Sequence, residues 1–234
     1  MKNRHYKFKD AWNIRDIGGY ETTEGKKTKE YKFVRGTGGQ PFSDEEKEIL
    51  YKDGIRVIID LRTTHEICKH PHPLKDYKDI EYYNIDMIGS YGHMLNRGYP
   101  VLYELYYDLI NGSQNQFCNV LKVILDHQDQ GIYFNCTAGK DRTGLISMIL
   151  LWIVGVQEKE IIDNYSESFE NNKPMMAKGG PYSPETMIYF YSEPEYMVNA
   201  INLIKNQYGG IEKYLLYIGL TKEEIAKLRT IIEE

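Results

Sequence analysis

The sequence predicts an α/β fold, a central and mostly parallel sheet flanked by helices. Short apolar runs rich in strand formers recur along the chain, as at Ile55 to Leu61 and Gly131 to Phe134. Segments with helical spacing and clear start signals lie between them. Strands that alternate with helices pair in parallel, because each crossover needs a helix to bring the chain back. The 234 residues, 41% of them hydrophobic, suffice for one well-cored domain spanning 1–234 and argue against disorder.

Taken in order, Glu30 to Arg35 reads as an early strand closed by a turn at Gly36-Thr-Gly-Gly39. Ser43-Asp-Glu-Glu46 is a capping box that opens a helix ending near Asp53-Gly54. The buried strand Ile55 to Leu61 follows, and Thr63 to Glu66 repeats the capping pattern ahead of a short helix. Cys68-Lys-His70-Pro-His72-Pro has a hint of metal spacing but lacks an evident fourth ligand, so it reads as a proline-pinned loop. Ile80 to Ile85 reads as a strand, and residues 89–99 as a loop near the site edge. Val101 to His127 gives two helices broken at Asn111-Gly112. Leu145 to Val154 and Gln157 to Asn171 give two more, followed by a Gly/Pro loop from Lys173 to Ser183. Ser183-Pro184-Glu185 is a helix start, and Pro194 should kink or split the helical run from Thr186 to Asn206. Thr221-Lys-Glu-Glu224 caps the last helix.

The chemistry concentrates in Asn135-Cys136-Thr137-Ala138-Gly139-Lys140-Asp141-Arg142-Thr143-Gly144. A strand leads in and a helix leads out, so this loop ends at a helix start, where unpaired amides and the macrodipole favour an anion. Small residues at Ala138 and Gly139 let backbone amides close around a phosphate. Cys136 is then the nucleophile, its thiol made more acidic by the helix end and nearby cations. Arg142 supplies a planar fork for two phosphate oxygens. Thr143 is placed to donate to the sulfur when the covalent intermediate breaks down. Thr137, Ala138, Gly139, Lys140, Thr143 and Gly144 make up the expected phosphate-binding set. No metal and no cofactor is required, since loop and arginine supply the electrostatics.

Cys136-Thr-Ala-Gly-Lys-Asp-Arg-Thr-Gly144 resembles the signature of the atypical bacterial tyrosine phosphatases related to the mycobacterial type-B enzyme. Trp12-Asn-Ile-Arg-Asp-Ile-Gly-Gly-Tyr20, Gly54 to Arg62 with Glu66, and Tyr214 to Glu234 resemble other parts of that family. The resemblance implies a cysteine-phosphatase-like fold with extra lid-like helices in the Thr186 to Asn206 segment, whose other reading is a plain surface hairpin. It also implies action on phosphotyrosine, in some members on phosphoserine, phosphothreonine or phosphoinositides. One departure is Asn135, where the family usually has His; it predicts a less acidic Cys136 and a slower enzyme.

A leaving oxygen needs a proton, and Asp141, Asp86 and Asp60 are the candidate acids; for Asp86 and Asp60 a capping or strand-end carboxylate is the better reading. Asp141 comes first because it lies inside the loop; its other reading is a brace for the loop amides. Lys140 reads as a second cation for extra phosphate or a lipid headgroup. Arg15 and Asp16 are expected to pair in support of the loop, with Arg35 and Arg62 in similar roles.

The net charge of −5 argues against a general nucleic-acid binder. Three cysteines form no paired framework, which suits a reducing cytoplasm, and no signal-peptide or membrane-spanning run is seen; export by another route stays open. The 21 tyrosines read as the base composition of an AT-rich genome combined with amphipathic packing, and less readily as aromatic walls around a phenyl ring or lipid headgroup. The expectation is therefore a cysteine-dependent phosphatase acting on phosphorylated protein or phosphoinositide. The alternative is a pseudophosphatase that binds such ligands without turnover. A rhodanese-like sulfur transferase is a weaker third reading.

Overall fold

The computed structural model describes residues 5–88 and 102–234. Its strands are β1 (Arg15–Asp16), β2 (Phe33–Thr37), β3 (Ile55–Asp60), β4 (Glu81–Asn84) and β5 (Gly131–Cys136). They form one sheet in the order β1-β2-β5-β3-β4, parallel except where β1 meets β2. The helices are α1 (Asp44–Lys52), α2 (Thr64–Lys69), α3 (Leu102–Gly112), α4 (Gln114–Asp126), α5 (Asp141–Ile153), α6 (Glu158–Gly179), α7 (Pro184–Met187), α8 (Pro194–Tyr208), α9 (Ile211–Tyr217) and α10 (Lys222–Ile232). The expected loop at 89–99 lies outside the described residues.

Side-chain alternation along the strands sorts the core into two faces. Ile132, Phe134 and Cys136 of β5 join Val57 and Ile59 in the larger cluster, with α4, α5 and α8. Tyr133 joins Val34, Ile55 and Ile58 in the smaller one, with Phe42, Leu50 and Leu74. β5 is the middle strand and is buried throughout, so Cys136 ends the most protected strand of the sheet. Open parallel sheets bind ligands beyond such carboxyl ends.

Local signals set several boundaries. Capping boxes at Ser43, Thr63 and Thr221 open α1, α2 and α10. Pro194 splits the run after 183 by taking the first turn of α8, where its missing N–H costs nothing. Three expectations need correction. β2 begins at Phe33 and runs on through Gly36-Thr37, which the sequence suggested as a turn. A side chain at Gly36 would strike the Tyr133 hydroxyl at 2.2 Å, so this glycine serves close packing. The break between α3 and α4 falls at Ser113, whose amide still donates to Leu109 O (2.9 Å). Finally, α6 continues through Pro174 to Gly179, across a segment expected to be loop. Asn172 and Met176 are buried on either side of Pro174, and that tertiary packing overrides the proline.

Candidate active site

The loop from Cys136 to Arg142 joins the end of β5 to the first turn of α5, which begins at Asp141. Its carbonyls are taken up from behind. Cys136 O accepts from Gly38 N at 2.8 Å. Ala138 O accepts from Asn13 Nδ2 (2.9 Å) and Asn172 Nδ2 (3.0 Å). Gly139 O accepts from Asn13 Nδ2 (3.0 Å) and a terminal nitrogen of Arg35 (2.8 Å). The peptide unit is planar and trans, so a carbonyl drawn backward turns the next amide forward. The amides of Gly139 and Lys140 therefore face the hollow. Among the described residues, no amide from Ala138 to Thr143 donates a hydrogen bond. Gly139 makes the bend possible: its φ is +63°, and a Cβ there would lie 2.5 Å from Gly36 O.

The parts that hold the loop are buried polar side chains. Arg35 donates to Asn164 Oδ1 at 2.6 Å as well as to the loop. Arg15 donates to Asn13 O (3.1 Å), Asn164 O (2.5 Å) and Ser168 Oγ (3.2 Å), and also bonds the Asn13 side chain. Asp16, its neighbour, accepts from Gly18 N (3.1 Å) and Tyr31 N (2.9 Å), so it shapes the adjoining turn. Arg15 thus supports the loop through Asn13. Burial pushes the Arg35 pKa down to about 10, partly offset by the Cys136 charge.

On the other side, Arg142 makes a two-pronged bond to Glu66, 2.8 Å on each arm, and reaches Leu61 O at 3.3 Å. Thr137 donates its hydroxyl to the same carboxylate. Burial alone would raise the Glu66 pKa, but the bonds and charge of Arg142 outweigh it and hold the carboxyl well below its usual range. Arg142 keeps one edge for a ligand. Its Nε makes no hydrogen bond among the described residues, and NH2 has only a 3.4 Å contact with Thr137 besides Glu66. Thr143 Oγ1 is buried without a hydrogen-bond partner.

Asp141 accepts from the Tyr106 hydroxyl at 2.7 Å, and that hydroxyl lies 2.6 Å from Tyr165 Oη. The carboxylate is 21% exposed, within reach of solvent. The other aspartates are engaged elsewhere. Asp60 is buried and accepts from Arg62 Nε (2.9 Å) and NH2 (2.7 Å), Tyr82 Oη (2.9 Å) and Asn135 Nδ2 (3.0 Å). Burial opposes ionisation of Asp60, yet Arg62 and its neighbours keep the pKa below the usual value. Asp60 thus stands as a strand-end support, its oxygens taken up by these donors. Asp86 turns the chain after β4 by accepting from Ile88 N at 2.9 Å.

Lys140 departs from its expected role. Its ammonium is buried and donates to Tyr189 O (2.5 Å) and Tyr191 O (2.7 Å), 3.5 Å from Asp141. It ties the segment after α7 to the loop, and burial lowers its pKa. Gly144 has its amide committed to Lys140 O at 2.7 Å, which leaves no donor for phosphate.

Sequence reasoning gave Asn13, Glu66, Asn164 and Asn172 no role in holding the loop. Asn164, Ser168 and Asn172 recur every four residues on α6 and are all buried, a polar stripe that reaches the loop. Glu66 was legible as a helix cap, and it serves Thr63 N and Arg142 together.

A Nostoc commune protein named tyrosine-protein phosphatase is 31% identical over 213 residues, 84% of this chain and 72% of that protein. A Cupriavidus necator chain with a provisional tyrosine-protein phosphatase name is 25% identical over 184 residues, covering 74% of this chain and 66% of its own length. Among solved structures, P. aeruginosa TpbA overlaps 81% of this chain and 88% of its own, at 10% identity and a TM-score of 0.44. At those values the likeness to TpbA carries no functional weight. The family model described as the tyrosine phosphatase family matches residues 6–234, and the chain belongs to that family.

Proposed function

We propose that this protein hydrolyses phosphotyrosine on proteins through a phosphocysteine intermediate. The observation that carries the reading is the loop whose carbonyls are drawn back from behind, with Cys136 at its start and a guanidinium edge open at its end. The Cys136 thiolate attacks phosphorus and the ester P–O bond breaks. The leaving phenolate takes a proton from Asp141. Amides and Arg142 hold the charge on the equatorial oxygens. Asp141 then takes a proton from water as the water attacks phosphorus. The S–P bond breaks, Thr143 donates to the departing sulfur, and inorganic phosphate leaves.

Arg35, Arg142 and Lys140 all lie near enough to Cys136 for its charge to act on them. Asn135 contributes a neutral bond to Asp60 where a histidine would bring charge. Alkylation of Cys136 by iodoacetate against pH tests its effect: a half-point below about 5 contradicts a less acidic thiol. Nothing in the geometry favours a lipid-headgroup role for Lys140, since its ammonium is bonded to backbone carbonyls.

Turnover of para-nitrophenyl phosphate and a phosphotyrosine peptide, abolished in Cys136→Ser, is the expected result. Binding without turnover in the native protein supports the pseudophosphatase instead. Asp141→Asn separates acid from brace: a loss confined to poor leaving groups means acid, and a uniform loss means bracing. We also take residues 1–234 as one catalytic domain. In support, the C-terminus returns to the N-terminal segment, with Lys29 N donating to Ile232 O (2.8 Å) and Glu234 N to Lys27 O (2.9 Å). Among the described residues no helix is long and apolar enough to cross a membrane.

A further inference from the structure

A cavity of about 470 Å³ opens beside the loop, and Thr137 and Glu66 line it together with Trp12, His65, Lys69 and His70. The reaction does not use it. Its charges are unevenly committed. Glu66 is bound by Arg142, Arg62 by Asp60, and Lys178, also on the wall, by Asp10. Lys69 has no ion pair or hydrogen bond among the described residues and is exposed at the end of α2. Arg62 also donates to His70 O at 2.8 Å, which fixes the end of α2 and the rim it carries. Opposite stands the half-buried Trp12 indole, with the Lys178 ammonium 4.9 Å from its ring centre.

We propose that this cavity is a specificity subsite for an acidic residue flanking the phosphotyrosine of a peptide substrate, with Lys69 as the receiving cation and Trp12 as the apolar wall. The inference rests on the phosphatase reading above. The charge balance favours a peptide carboxylate over a polyphosphorylated headgroup. A polyanion needs several uncommitted cations to offset its desolvation, and among the described residues the cavity offers one uncommitted lysine, flanked by two imidazoles.

The test uses paired phosphotyrosine peptides that differ only by Glu or Gln beside the phosphotyrosine. With the native protein, kcat/KM is expected to favour the Glu peptide by about fivefold at low salt, mostly through KM, and to lose that preference at high salt. Lys69→Glu removes or reverses the preference and leaves para-nitrophenyl phosphate turnover within about twofold, since that small ester carries no flanking residue to meet Lys69. Lys69→Gln, a milder change, removes it without reversal. Equal rates on both peptides, or a preference that survives Lys69→Glu, overturn the subsite. A Lys69-dependent preference for a soluble inositol polyphosphate over the Glu peptide overturns the peptide assignment. Affinities of both peptides for Cys136→Ser, with and without Lys69→Glu, read the subsite apart from chemistry. Absence of any turnover by the native protein defeats the phosphatase reading alone, while equal affinities defeat the subsite alone.

Discussion

Behind the loop from Cys136 to Arg142, Asn13, Arg15, Arg35, Asn164 and Asn172 are all buried and bonded to backbone or to each other. At its mouth, Arg142 leans on Glu66, and Lys140 on two carbonyls of the segment after α7. The groups behind are buried and already bonded to the loop or to one another, so the rear of the loop is held before any ligand arrives. The contact of Arg142 with Thr137, at 3.4 Å, is weak enough for a phosphate oxygen to replace. The loop is thus preorganised from the rear, while its front keeps donors in reserve. That division is what an anion cup needs, because donors fixed before the ligand arrives cost no reorganisation when charge develops.

The comparison breaks most sharply at the mouth. Arg142→Lys keeps a charge but loses the planar fork, so kcat/KM for a phosphotyrosine peptide should fall on the order of 10³-fold, with the melting temperature nearly kept. A loss under tenfold means the fork is not the main electrostatic element. Next comes the rear. Asn13→Ala strips donors from Ala138 O and Gly139 O, and stability should drop by roughly 1–3 kcal/mol in urea unfolding. Turnover should fall about 10- to 100-fold with it, through misplacement of the loop. Unchanged turnover would show that the loop holds its shape without rear support. A smaller effect is expected from Glu66→Gln, about tenfold in kcat/KM, because a neutral amide still orients Arg142.

The smallest effect on turnover concerns the face of the sheet away from Cys136. His72 is buried among Phe42, Tyr82 and Tyr133 with Asp60 and Arg62 nearby, and its Nδ1 accepts from Leu74 N at 3.2 Å. Burial lowers its pKa to about 4, despite the Asp60 charge. Below an unfolded pKa of about 6.5, the unfolded chain takes up a proton that the native state refuses. Stability should therefore fall as pH drops from about 6.5 to about 4, by about 3 kcal/mol in all, and His72→Gln should flatten that slope. Urea midpoints measured across this range give the answer; the same slope in both proteins removes His72 as its source.

Much of this was legible in the sequence, for local reasons. The strand into Cys136, the helix out of it and the capping boxes all follow from patterns a few residues long. Asn13, Asn164 and Asn172 were not legible, because their significance lies in what they face far along the chain, across 125, 129 and 34 residues respectively. Propensity also failed at Pro174, where buried Asn172 and Met176 carry α6 past a residue that should end it. Lys140 looked like a cation for phosphate because neighbours in sequence suggested it, while the carbonyls that claim it lie about fifty residues away. Tyrosines 106, 133, 165 and 214 are fully buried, in keeping with packing as the reason for many of the 21.

The central claim is a sulfur nucleophile at the base of a preformed amide cup. Rapid acid quench of the enzyme with a ³²P-labelled phosphotyrosine peptide, followed by mapping of the labelled fragment, tests it directly. Label on the fragment carrying Cys136, absent in Cys136→Ser, is the predicted result. Full turnover by Cys136→Ser, or label that maps to another residue, would contradict it.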